Sequence, residues 1–152
     1  MRKRPFNLER YVLKLLSFRP RSQYEIERKL VFKGVSQKDI DDIIAKLKKA
    51  NLVNDYEFAG AWIRNRALLK PKGKRMLALE LRQKGISRDI IDEILGFGDD
   101  TELELACQAI DSKNRIYANL DPYEKKQKQL SFLSRRGFSY TISKAAIEKL
   151  EN

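Results

Sequence analysis

The chain of 152 residues carries 32 Lys/Arg against 21 Asp/Glu and no His, a formal net charge of +11. Its length supports a modest core, as one domain or as several small repeats, and its ordinary 42% apolar share argues against global disorder. No window holds the roughly 18 apolar residues of a membrane span, and the single cysteine, Cys107, excludes an internal disulfide and fits a reducing cytoplasm.

The start, Met1-Arg2-Lys3-Arg4, is basic, but Glu9, Arg10 and Lys14 interrupt any apolar run after it, so no secretory signal is read. Leu8, Tyr11, Val12, Leu15 and Leu16 then form a helical stripe that Pro20 closes. Ser22-Gln23-Tyr24-Glu25 reads as a capping box opening a second helix, with Ile26 and Leu30 turned inward. Gly34 stops that helix. Ser36 caps a third, which carries Ile40, Ile43 and Ile44 and runs to about Ala50.

After the connector Asn51 to Asp55, either Asn54 or Asp55 caps a helix with Phe58, Ala61, Trp62 and Leu69 on its stripe. Trp62 is expected as a core anchor. The second unit continues through Pro71 to Gly85 and ends with a helix capped by Ser87, near Leu95. Gly96-Phe97-Gly98 is expected to be a flexible hinge. Asp99, Asp100, Glu102 and Glu104 suit the first turn of the next helix, on which Leu103, Ala106, Cys107 and Ile110 face inward. Cys107 thus reads as a small buried apolar residue. A longer connector, Asn114 to Asp121, leads to a helix at Asp121-Pro122, and a last helix runs from Ser139.

One phrase recurs through this order: Leu30…Lys33-Gly34-Val35-Ser36, Leu81…Lys84-Gly85-Ile86-Ser87 and Leu133…Arg136-Gly137-Phe138-Ser139. Each copy has a Leu four residues before Gly, a cation before Gly, an apolar residue after it and a capping Ser. Gly at the end of a helix supplies a left-handed backbone, and a cation suits the last turn. Each copy is therefore a corner between two helices. The fold class read from these elements is all-α: three tandem three-helix repeats of about 50 residues, over 5–53, 54–98 and 99–152.

No histidine, no phosphate-cradling glycine loop and a lone cysteine leave no catalytic, cofactor or metal site to expect. The charge is uneven instead. Lys/Arg against Asp/Glu run 14 to 6, 9 to 6 and 9 to 9 over residues 1–53, 54–98 and 99–152, an excess of +8, +3 and 0. Such a gradient suggests a polyanion or an acidic protein surface facing the first two-thirds. Lys70, Lys72, Lys74 and Arg75 crowd the start of a helix, where cations oppose the dipole and an anion would suit them better. Arg64 and Arg66 would widen that patch. Lys46, Lys48 and Lys49 end the third helix, where the dipole already favours them.

Four stretches carry a family resemblance: Ser22 to Leu30 (SQYEIERKL), Asn54 to Ala59 (NDYEFA), Glu80 to Ile86 (ELRQKGI) and Phe132 to Ser139 (FLSRRGFS). In this order, over about Leu8 to Leu150, the chain resembles the RecX family of bacterial recombination regulators. The resemblance implies an elongated, curved array of three-helix units without catalytic residues. It also implies a partner, the RecA recombinase filament on single-stranded DNA, whose ATPase, strand-exchange and co-protease activities such proteins restrain in DNA repair and the SOS response. Contact residues are not carried by the resemblance; they rest on charge placement. A monomer is expected, since no long exposed apolar stripe argues for a dimer. The alternative is a stand-alone helix-turn-helix DNA-binding protein using the Ser36 helix for recognition.

Overall fold

The computed structural model describes residues 6–152, so the basic start at Met1 to Arg4 lies outside the described residues. Every regular element among them is a helix. The first unit holds α1 (Leu8–Phe18), α2 (Gln23–Phe32) and α3 (Gln37–Lys49), and the second α4 (Asp55–Leu69), α5 (Lys74–Gln83) and α6 (Arg88–Ile94). The third holds α7 (Asp99–Asp111), a one-turn α8 (Asn114–Tyr117), α9 (Pro122–Arg135) and α10 (Tyr140–Glu151). The connector expected at Asn114 to Asp121 therefore contains a helical turn, anchored because Tyr117 joins the third core.

The repeated phrase is a Schellman turn in all three copies. The amide of Gly34 donates to Val31 and that of Val35 to Leu30; Gly85 and Ile86 donate to Arg82 and Leu81, and Gly137 and Phe138 to Ser134 and Leu133. The Leu four residues before each Gly is thus the acceptor that the apolar residue after Gly folds back onto. The glycines sit at φ +79°, +74° and +92°. Ser36, Ser87 and Ser139 then accept from the amides of Asp39, Ile90 and Ile142, and Ser22 makes the full capping box with Glu25. Asn54, rather than Asp55, caps α4. Asn51, with φ 56°, closes α3 in the same left-handed way without a glycine.

Each unit keeps its own core. Val12, Ile26, Leu30, Ile40, Ile43, Ile44, Leu47 and Val53 form the first. Phe58, Ala59, Leu81, Ile86 and Ile91 form the second, smaller one. The third is built largely from α7, α9 and α10 around Ile110, Leu133 and Ile147. Leu69, placed on the α4 stripe by its spacing, is 82% exposed instead, because the helix ends there and turns out towards Lys70.

The units join by one rule applied twice. The start of the second helix of one unit seats on the glycine corner of the next. Ser22 donates its hydroxyl to the carbonyl of Lys84 at 2.6 Å, and Gly73 donates its amide to the carbonyl of Arg136 at 2.8 Å. The covering helix start lies on the glycine in each case, the Tyr24 side chain over Gly85 and the backbone and Cβ of Met76 over Gly137, so closely that a Cβ on either glycine would overlap it. An acid from the next unit receives the first helical amide: Gln23 N–H donates to Asp55 at 2.9 Å, and Lys74 N–H to Glu102 at 3.3 Å. Of the three corner glycines, Gly34 alone meets open space among the described residues.

This difference separates two costs that the three glycines would otherwise share. Gly34→Ala is expected to lower stability only by the left-handed penalty, about 1–2 kcal/mol. Gly85→Ala and Gly137→Ala must also displace Tyr24 or Met76, adding about 1–3 kcal/mol. Urea denaturation of the three variants checks the ranking; equal losses would show that the corners do not carry the unit junctions.

Candidate interaction surface

Cations selected for their placement in the sequence divide into two groups once folded. Glu80 on α5 is nearly buried and collects the first group. Trp62 Nε1–H donates to it at 2.8 Å, Arg66 Nε–H at 3.1 Å, and Lys72 donates from its ammonium. Burial alone would raise the Glu80 carboxyl, but the hydrogen bonds and charges of Lys72, Trp62 and Arg66 outweigh it and hold the group below the usual carboxylate range. Trp62 is half-buried rather than a fully enclosed anchor. Its ring stacks on Phe58, and it lies between Arg66 and Lys84, whose charged ends are 4.8 and 5.3 Å from its centre.

Lys74 and Arg75 turn to the second junction. Lys74 donates to the carbonyl of Phe97 and lies over its ring at 4.7 Å, so the Gly96-Phe97-Gly98 segment expected as a free hinge is tied to α5. Arg75 donates to the carbonyl of Ser134 at 2.7 Å. The first two amides at the α5 start, those of Gly73 and Lys74, are also engaged by the third unit. An anion at this helix start would have to compete with those internal partners.

Residues left facing solvent lie elsewhere. Lys70 caps the end of α4 and is exposed, and Arg64 is exposed on the same helix. Arg64 borders a cleft of about 560 Å³ with Arg21, Leu52, Tyr56 and Glu57, between the first unit and α4. Lys48 and Lys49 are exposed at the end of α3, while Lys46 pairs loosely with Glu9 at 3.0 Å. Arg21, which escaped selection in the sequence, enters this surface because it immediately precedes the capping Ser22. Glu25 and Lys84 escaped too, since their 3.4 Å ion pair spans two units that no sequence spacing relates.

The Glu25 carboxyl is held down to about 2: burial opposes ionisation, but the Arg19 hydrogen bond, the Ser22 amide and Lys84 together favour it more strongly. Cys107 is half-buried against the third core, and burial pushes its thiol up, away from nucleophilic use. Among the described residues no group of His, Cys, Asp and Glu could hold a metal ion, and no helix is long and apolar enough to cross a membrane. A winged-helix arrangement would need a strand pair after Val53, where α4 stands instead.

Comparison with known proteins follows the same unit boundaries. Family models described as the first, second and third three-helix domains of RecX match residues 10–47, 54–95 and 100–147. The regulatory protein RecX of Finegoldia magna is 37% identical over 135 residues, 87% of this chain, which spans 66% of that protein. Its counterpart from Pelodictyon phaeoclathratiforme is 34% identical over 140 residues, 92% of this chain and 86% of its own length. The crystal structure of RecX from Lactobacillus salivarius matches with a TM-score of 0.84 at 28% identity, covering 95% of this chain and 94% of that one.

Two depressed carboxyls fix the sign of the acid response. Glu25 and Glu80 are more readily ionised folded than unfolded, so their contribution is complete above the ordinary carboxyl value of 4.5 and is lost as pH falls below it, for Glu25 down to about 2. Thermal melts between neutral pH and pH 2 should show this loss, with a shallower slope for Glu25→Gln. At neutral pH, Glu80→Gln should cost about 1–3 kcal/mol by leaving its donors poorly paired. Lys70→Ser should stay within about 0.5 kcal/mol of the parent.

Proposed function

The chain belongs to the RecX family, and from that premise we propose that it binds a RecA-type recombinase filament on single-stranded DNA and restrains its ATPase, strand-exchange and co-protease activities. It would act in the cytoplasm, in recombination, DNA repair and the SOS response. The observation that carries the reading is the ordered match of all three units to RecX domains. RecX proteins are regulators, and a regulator needs no catalytic group of its own. What it needs is a surface, and the three units supply one whose charge excess falls from +5 (11 against 6 over residues 5–53) to 0 over residues 99–152.

The exposed cations give that surface its chemistry. Arg64, Lys70, Lys48 and Lys49 are the candidates whose side chains form no hydrogen bond or ion pair among the described residues, and Arg75 is exposed with one backbone partner. Arg66, Lys72 and Lys74 serve the interior contacts described above, and Lys46 is paired with Glu9. The proposed partner contacts are therefore drawn from the first group. Long-range attraction from such a surface speeds encounter with a polyanion and weakens with salt.

The test is the ATPase rate of a preformed recombinase filament on single-stranded DNA. Substoichiometric protein should slow it, and replacing Arg64, Lys70 and Lys49 together with Ser should raise the half-inhibitory concentration about tenfold, equivalent to roughly 1.4 kcal/mol. The melting temperature should hold within a few degrees. No slowing at any ratio overturns the reading. Slowing that the triple replacement leaves unchanged would move the contact away from these cations.

A further inference from the structure

The junction rule leaves one unused partner at each end of the row. At one end is the corner Lys33-Gly34, which repeats the Lys84-Gly85 pair, its Schellman bonds and its backbone angle, φ +79° against +74°. Among the described residues nothing covers Gly34. At the other end is the start of α9, Asp121-Pro122-Tyr123-Glu124. It repeats the start of α2, Ser22-Gln23-Tyr24-Glu25, with a polar cap, a Tyr at the second helical position and a Glu at the third.

In α2 each of those side chains is used. Tyr24 covers Gly85, Glu25 pairs with Lys84, and the cap residue donates to the Lys84 carbonyl. In α9 the same Tyr is 75% exposed, and Glu124 has no ion-pair partner among the described residues. The helix is also 14 residues long against 10 for α2 and α5, so its start projects about 6 Å further from its own corner.

Apolar residues mark both ends. Two and three positions before the corner glycine, the second and third units carry Gln83 and Arg82, and Arg135 and Ser134. The first unit carries Phe32 and Val31 there, 91% and 60% exposed. Ile116, just ahead of α9, is 66% exposed. Pro122 completes the match. It has no N–H at the first helical position, so it does not need the acid that Asp55 and Glu102 supply at the internal junctions. The first unit supplies none: the matching positions of α1 are Leu8 and Tyr11.

We propose that copies of this chain associate head to tail, the α9 start of one copy seating on the Lys33-Gly34 corner of the next. Tyr123 covers Gly34, Glu124 pairs with Lys33, and the Asp121 amide donates to the Lys33 carbonyl as Gly73 does to Arg136. Such a heterologous contact grows into an open chain unless its rotation closes a ring. The most basic unit meets the neutral one, so this pairing avoids the repulsion that basic unit against basic unit would bring. The contact is the size of one internal junction, so it is weak between free copies, with a Kd on the order of 0.1 mM, and strengthens when copies are held side by side on a common scaffold. The inference uses this chain alone and does not depend on the filament reading.

Sedimentation velocity from about 10 µM to about 1 mM, bracketing that affinity, tests it. The weight-average sedimentation coefficient should rise with concentration. Glu124→Lys and Lys33→Glu, both at exposed positions, should each abolish the rise with circular dichroism unchanged. Mixing the two variants should restore it, since each carries the charge that the other's opposite end lacks. A coefficient that stays constant in the parent chain overturns the proposal and leaves the corner to a different protein. Association that neither variant alters overturns it as well, placing the contact elsewhere.

Discussion

The seating of a helix start on a glycine corner is the contact on which the arrangement of the molecule depends. Each three-helix unit has a small core, and in a row of small units stability is the sum of unit terms and neighbour terms. The second unit shows why the neighbour term matters. Its core of Phe58, Ala59, Leu81, Ile86 and Ile91 is the smallest of the three, and it is flanked on both sides. Tyr24 and Ser22 press on its corner from one side, while Gly73 and Met76 on its own second helix seat on Gly137 at the other. Glycine is needed at Gly85 and Gly137 for two reasons that coincide: a left-handed turn and a surface flat enough for a neighbour to cover.

The same junctions decide what the cations are for. A lysine beside a helix start invites the thought of a phosphate, because free amides and positive charge point the same way. Here those amides already have partners, and Lys72, Lys74 and Arg66 spend their charge on Glu80 and Phe97. Opposing the α5 dipole costs a few tenths of a kcal/mol per charge, less than the hydrogen bonds that these groups make with a nearly buried carboxylate. Cations without such partners lie at helix ends or on open faces, where nothing internal competes for them.

Local order was legible in the sequence because caps, stripes and Schellman turns are properties of consecutive residues. Ser36, Ser87 and Ser139 cap as their position implies, and the repeated Leu…Gly phrase resolves into one hydrogen-bond pattern. What failed to show was any contact between side chains distant in the sequence. Glu80 has no periodic signature, since its donors come from α4 and from the loop ahead of α5. The tie between Lys74 and Phe97 likewise spans 23 residues and fastens to α5 a segment that two glycines mark as a hinge. Leu69 went astray for a different reason: helical spacing continues to mark a face after the neighbour that would bury it has ended.

A repeat that serves as both turn and seat has a consequence at its boundaries. Internal repeats answer one another, so each seat and each helix start is consumed, and polar residues such as Gln83 and Arg135 flank the consumed corners. At the boundary the same residues remain, and a protein that needed only solubility would place polar side chains there, as terminal repeats of other arrays do. This chain instead places Phe32 and Val31 beside one open corner, and Tyr123 and Ile116 beside the unused helix start. Leaving large apolar side chains in water forgoes about 25 cal/mol for each Å² that a partner could cover. The two ends thus match the proposed contact between copies, while the exposed cations on the faces between them are left for the proposed charged partner.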